Sequence, residues 1–221
     1  MDTFVNWDVL STIKIIPAIL AKTFDEFQDM VKKIEPFTDL VHLDIADGRF
    51  VPNTTIEGIE ELKKINAPLN FEVHLMVKEP EKIIEKWFET KAIRYLVHWE
   101  STREFNNLVG LIHENGKEFG AVLNPQTDFV MIEPYIEDLD LVQFMTVDPG
   151  FQGSPFLPEV LENIKKFHAE HSEKIIQVDG GIKPETIKLV KEAGAARAAV
   201  GSFIFESDDV KKAMEDLMSG I

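Results

Sequence analysis

Residues 15–24 read IIPAILAKTF. An apolar run of strand length gives way at Lys22, and Thr23 then stands where a helix N-cap belongs, with Glu26 placed to complete a capping box. A strand that runs straight into a helix opens either an open, doubly wound sheet or a closed barrel. The open sheet that binds dinucleotides carries G-x-G-x-x-G in this first turn. This stretch holds no glycine, so the decision passes to the rest of the chain.

Seven more apolar runs follow: LVHLDI from residue 40, LNFEVHLMV from 69, RYLVHW from 94, GAVLN from 120, LVQFMTV from 141, KIIQVD from 174 and AAVGS from 198. Their near-continuous apolar character suits parallel strands covered on both faces. Helical periodicity lies between them. After Thr23, Phe24, Phe27, Val31 and Ile34 share one face. After the seventh run, Pro184 suits a first helical turn, Ile187, Leu189 and Val190 supply the apolar side, and Gly194 marks the stop. Val210, Ala213, Met214, Leu217 and Met218 give the last helix. Eight strand–helix units in 221 residues predict an α/β fold, a single-domain (β/α)8 TIM barrel over residues 1–221, with a short N-terminal extension at 1–12. In such a barrel the C-terminal ends of the strands carry the chemistry, so polar residues there are the ones to weigh.

Composition narrows the partners. Lys plus Arg number 23 against 39 Asp plus Glu, a net charge of −16, which argues against binding nucleic acid by phosphate neutralisation. An anionic small substrate must then be held locally, by backbone amides. Cysteine is absent, which removes disulfides and thiolate metal ligands. The first twelve residues carry two aspartates and no lysine or arginine, unlike a signal peptide, and no run approaches membrane-spanning length. The reading is a cytoplasmic protein with no membrane partner.

His42 and Asp44 lie two apart in the second run and point to the same side. His74 sits near the end of the third run and Asp179 ends the seventh. Burying such groups unpaired would cost several kcal/mol each, on the order of 2–7 for a neutral polar group and more for a charge. Two imidazoles and two carboxylates could hold one divalent cation with positions left open; a hydrogen-bonded polar network would also satisfy them. Asp47, in ADG, reads as a cap on its own turn. Glycines form a second constellation: DPGFQGSPF (148–156), DGGIKPET (179–186) and GSFIF (201–205) follow the sixth, seventh and eighth runs. Barrels place phosphates at the loops after strands seven and eight, where glycine lets the backbone approach. These loops predict a phosphate clamp made without lysine or arginine.

Taken together, HLDIADGRFVPN (42–53), VHLMV (73–77), MTVDPGFQGSPF (145–156), VDGGI (178–182) and GSFIF resemble the signature segments of the ribulose-phosphate 3-epimerases, from about residue 13 to the end. VHWE (97–100) and LNPQT (123–127) look like that family's fourth and fifth strand ends. The resemblance implies an isomerase of the pentose phosphate pathway with one divalent cation per chain (Zn, Fe(II), Mn or Co) on His42, Asp44, His74 and Asp179. It implies that Asp44 and Asp179 are the acid/base pair that epimerises C3 of a ketose phosphate through a cis-enediolate. The phosphate would rest on amides around Gly150, Phe151, Gln152 and Gly153, with Gly180, Gly181, Gly201 and Ser202. His74, Met76 and Met145 would meet the sugar. The substrate expected first is D-ribulose 5-phosphate, giving D-xylulose 5-phosphate, and the chain is expected to assemble with copies of itself.

Some positions depart from the family pattern. Ala18 stands where serine is usual, Ala46 where methionine is, and Glu72 and Gln152 where aspartate and glycine are. Ala18 and Ala46 predict a roomier site, and LNPQT with MTVDPGF is similar to the allulose-6-phosphate 3-epimerases, which makes D-allulose 6-phosphate the alternative substrate. A sugar-phosphate lyase such as a hexulose-phosphate synthase would want Asp-x-Lys-x-x-Asp on a strand, and HLDIADG has Ile45 and no lysine. A barrel that only binds a sugar phosphate without turning it over is the remaining rival.

Overall fold

In the computed structural model, which describes residues 13–219, eight strands alternate with helices. In chain order these are β1 (Lys14–Ile19), α1 (Phe24–Ile34), β2 (Leu40–Ala46), α2 (Ile59–Lys64), β3 (Asn70–Met76), α3 (Ile84–Trp87), β4 (Ala92–His98), α4 (Phe105–Glu114), β5 (Glu118–Leu123), β6 (Leu141–Met145), α5 (Val160–Glu170), β7 (Ile175–Asp179), α6 (Pro184–Glu192), β8 (Arg197–Val200), α7 (Ser202–Phe205) and α8 (Val210–Ser219). Between β5 and β6 the chain takes a 3-10 path over Phe129–Asp138, which contains Pro134; proline has no N–H to give to a regular helix. The strands pair in parallel and in sequence order, and β8 closes on β1 through Lys14↔Arg197 to Pro17↔Val200. The expected N-terminal extension at 1–12 lies outside the described residues. No described helix is long and apolar enough to cross a membrane.

Local chemistry explains the elements. The Thr23 hydroxyl accepts the Glu26 N–H at 3.2 Å, as an N-cap should, while the Glu26 carboxylate reaches one residue further back than a capping box does and accepts the Lys22 N–H at 2.7 Å. Phe27, Met30, Val31 and Ile34 are the buried face of α1. In α6 the buried stripe is Thr186, Ile187 and Val190, and Leu189 is exposed rather than apolar-facing. Two residues along a helix is about 200° of rotation, so Leu189 cannot share a face with Ile187. Gly194 ends that helix at φ +111°, a conformation that favours glycine.

Side chains on the outer faces of the strands pack under the helices in one large apolar cluster that includes Phe27, Phe71, Trp87, Tyr95, Phe119 and Phe144. The inner faces are different. Leu96, Val122, Leu141 and Met145 fill part of the barrel, and Gly120 makes room for them: a Cβ there would stand 2.5 Å from Leu96 Cδ2 and 3.0 Å from Leu141 Cδ1. A polar ladder crosses the rest, with His42, Glu72, Arg94 and Glu118 in register on β2, β3, β4 and β5. Two residues further along, on the same side, come Asp44 opposite His74, and across the barrel Met145 opposite Asp179. The fold thus delivers the polar side chains to the C-terminal mouth.

Candidate active site

His42, Asp44, His74 and Asp179 meet at that mouth, all four buried, with one potential ligand atom from each lying within 4.8 Å of every other. His74 Nδ1 is 2.8 Å from Asp44 Oδ1 and 3.3 Å from Asp179 Oδ2; His42 Nε2 is 3.3 Å and 3.6 Å from the same two oxygens. A tetrahedral cation with bonds of about 2.0–2.1 Å sets neighbouring ligand atoms roughly 3.3 Å apart, so these separations suit one. His42 Nε2 is also buried without a hydrogen-bond partner while Nδ1 is engaged elsewhere, which leaves its lone pair aimed at the cluster. Donor set and spacing both fit a divalent metal ion.

A second ring of groups fixes the first. His42 Nδ1 lies 2.7 Å from Glu72 Oε1, which also accepts from Gln177 Nε2 at 2.6 Å, while Arg94 Nη1 donates to Glu72 Oε2 at 2.6 Å. Gln177 Nε2 is 2.8 Å from Gln143 Oε1, and Gln143 Nε2 is 3.3 Å from Asp179 Oδ2. On the far side His74 Nε2 sits 2.8 Å from His98 Nε2, with the two rings stacked. Sequence reasoning missed the parts played by Arg94, His98, Gln143 and Gln177, and saw Glu72 only as a departure. The signal was there: Glu72, Gln143 and Gln177 each lie two residues before an inward-facing residue of the mouth.

Electrostatics follows from this packing. Burial opposes charge on His42, but contacts with Asp179, Asp44 and Glu72 outweigh it and raise the imidazole well above its ordinary pKa. His74 is raised for the same reason, against burial, by Asp179 and Asp44. Burial would lift Glu72 and Asp179; the imidazoles pull both down, Glu72 to about 2 with help from Arg94 and Gln177. His98, desolvated and beside His74, is lowered to about 4 and stays neutral. Protons on the imidazoles, or a metal cation among them, can therefore compensate the buried carboxylates.

Above the cluster opens a pocket whose wall includes Asp44, Asp179, Met76 and Met145 together with Gly150, Phe151, Gln152, Gly153, Gly180, Gly181, Gly201 and Ser202. His42 and His74 lie beneath this wall rather than on it. Phe151 is 52% exposed at the tip of its loop. Gly180 takes φ +109° and its Cα abuts Val147, where a Cβ would stand 2.3 Å from Cγ2. Ala18 lines the pocket, and Gln152 Nε2 donates to its backbone carbonyl at 3.1 Å. Ala46 is packed with Val51 and Met76 and is not on the pocket wall. Asp47 caps its own turn: Oδ1 accepts from Arg49 N (2.8 Å) and Phe50 N (2.9 Å), and Oδ2 accepts from Lys78 N (2.9 Å).

Comparison with known proteins adds an independent line. The family model described as the Ribulose-phosphate 3 epimerase family matches residues 14–205. Ribulose-phosphate 3-epimerase of Bacillus subtilis (strain 168) is 39% identical over 212 residues, 93% of this chain and 98% of the relative. That of Escherichia coli (strain K12) is 32% identical, covering 93% and 94%; that of Schizosaccharomyces pombe is 31% identical, covering 94% and 93%. Among solved structures, 3-hexulose-6-phosphate synthase from Salmonella typhimurium superposes with TM-score 0.73 over 94% of this chain and 98% of that one. At 15% identity that likeness speaks for the shared barrel alone. Sequence similarity over nearly the whole length, on a barrel with this mouth, makes the chain a member of the ribulose-phosphate 3-epimerase family and an isomerase.

Proposed function

We propose that the chain interconverts D-ribulose 5-phosphate and D-xylulose 5-phosphate, with Asp44 and Asp179 as the proton-transfer pair. A divalent cation held by His42, Asp44, His74 and Asp179 would supply positive charge where an oxyanion develops, which a weakly acidic C–H beside a carbonyl requires. Asp44 comes from β2 and Asp179 from β7, so the two carboxylates approach a sugar between them from different walls of the barrel. One carboxylate takes the C3 proton as the C–H bonding pair moves into the C2–C3 bond and the C2 carbonyl π pair moves onto O2, giving an enediolate. The other, protonated, returns a proton to C3 from the opposite side; a single carboxylate could only put the proton back where it came from. Met76 and Met145 border the pocket with apolar surface that excludes water from the reacting carbons. The phosphate would lie toward Gly180, Gly181, Gly201 and Ser202, where the missing Cβ atoms of the three glycines let amides approach.

The observation that carries this reading is the convergence of four buried ligand groups under a glycine-rimmed pocket. The test is metal analysis of the purified protein together with ribulose 5-phosphate turnover in D2O. One metal ion per chain and deuterium at C3 of the product are expected. A protein that neither binds Zn2+, Fe2+ or Mn2+ nor exchanges the C3 proton would overturn it.

A further inference from the structure

Among the described residues the pocket wall carries no lysine or arginine, so a phosphate dianion there would be bound by neutral donors. Most of these are backbone amides. The wall also holds the hydroxyls of Ser154, which donates to the Phe151 carbonyl, and Ser202, but geometry singles out the side chain of Gln152: it crosses from the β6–α5 loop to the end of β1, where Nε2–H donates to the Ala18 carbonyl at 3.1 Å. There its carboxamide packs close to Gly201, where a Cβ would stand 2.5 Å from Nε2 and 2.9 Å from Cδ. The group is therefore held between the ends of β1 and β8, beside the glycine loops. A carboxamide nitrogen has two hydrogens. Ala18 takes one, and among the described residues nothing else accepts the other.

We propose that the carboxamide of Gln152 is a side-chain phosphate ligand of the substrate site, pre-oriented by the Ala18 carbonyl so that its second N–H is presented to a phosphate oxygen. This rests on the sugar-phosphate reading above and adds to it a residue whose side chain, rather than its backbone, recognises the dianion. Gly201 is required because a larger residue would evict the carboxamide. The strand-end carbonyl of Ala18 acts as the fixed acceptor that aims it, so the orientation survives when no ligand is bound.

The experiment compares the native protein with Gln152→Ala, which removes the donor, and Gln152→Glu, which keeps the shape and replaces the donor with a like charge. Inorganic phosphate binding is measured by calorimetry on the metal-loaded protein, and ribulose 5-phosphate kinetics alongside. Loss of a hydrogen bond to a charged group predicts about tenfold or more in phosphate Kd and in KM for Gln152→Ala, with kcat within about threefold and a larger loss for Gln152→Glu. Exchange of the C3 proton of D-ribulose, which has no phosphate, should be unchanged in both variants. Native-like phosphate binding by Gln152→Glu, or an equal loss on D-ribulose and ribulose 5-phosphate, overturns the proposal. If the native protein binds phosphate but turns over neither sugar, the epimerase reading fails while the calorimetry still decides the role of Gln152. Melting temperature and metal content identify any misfolded variant, and Gln152→Glu, isosteric and in an exposed loop position, remains informative if Gln152→Ala is lost.

Discussion

Replacing Glu72 by Gln removes one charge and almost no volume, and the structure fixes how much that charge is worth. Burial alone would push the carboxyl up, yet His42, Arg94 and Gln177 hold it at about 2 against an ordinary 4.5. At about 1.4 kcal/mol per pH unit, that gap corresponds to roughly 3 kcal/mol of folded-state stability carried by the charged form. Because the folded pKa is depressed, the contribution is fully present above about 4.5 and is lost as pH falls through about 2. For a chain of this size each kcal/mol moves Tm by about 2–4 °C, so metal-free Glu72→Gln at pH 7 should melt roughly 6–12 °C below the native protein. The same change takes the charged acceptor from His42 Nδ1, and zinc affinity, measured against a competing chelator, should fall about 10- to 100-fold. Glu118→Gln is the control. Its carboxylate also pairs with Arg94 but is half exposed, and the loss there should stay below about 1 kcal/mol. A Glu72→Gln protein melting within about 2 °C of native, or no more affected than Glu118→Gln, would refute the reasoning.

Asp179→Asn and Asp44→Asn should each abolish net epimerisation while circular dichroism remains native, because each leaves one wall of the barrel without its proton carrier; wild-type turnover by either folded variant counts against the pair. His74→Ala should weaken metal binding sharply, as read by the metal retained after dialysis, since Nδ1 is the atom nearest both carboxylates. Gly120→Ala should cost about 1–3 kcal/mol in thermal unfolding, because its methyl would press on Leu96 and Leu141 in the packed barrel interior.

The barrel was legible because its strands are buried on both faces, and a run such as LVQFMTV has no reading as a surface element. Boundaries were less so: β4 begins at Ala92 and β5 at Glu118, two residues ahead of the runs that announce them, and Arg94 and Glu118, though charged, remain in the ladder. His42, Asp44, His74 and Asp179 stood out as charged or polar interruptions at strand ends. Gln143 and Gln177 did not, since a neutral amide in a strand carries no chemistry until its neighbours are known. The contact between Gln152 and Ala18 spans 134 residues of sequence, and no local pattern encodes it. The exposed Leu189 shows the opposite failure, a local pattern read one residue too generously.

The cluster at the mouth is drawn from β2, β3 and β7, and beneath it Glu72 and Gln177 join across 105 residues of sequence. During synthesis three of the four groups emerge long before Asp179, and the set is complete only when the ring of strands has closed. A cation bound there would act as a clasp on the closed ring, because only the native state brings the four groups together. At a free concentration a hundredfold above Kd it would add about 2.7 kcal/mol against opening. Metal starvation would then shorten the lifetime of the polypeptide as well as silence it, making cellular abundance of the protein a readout of metal supply.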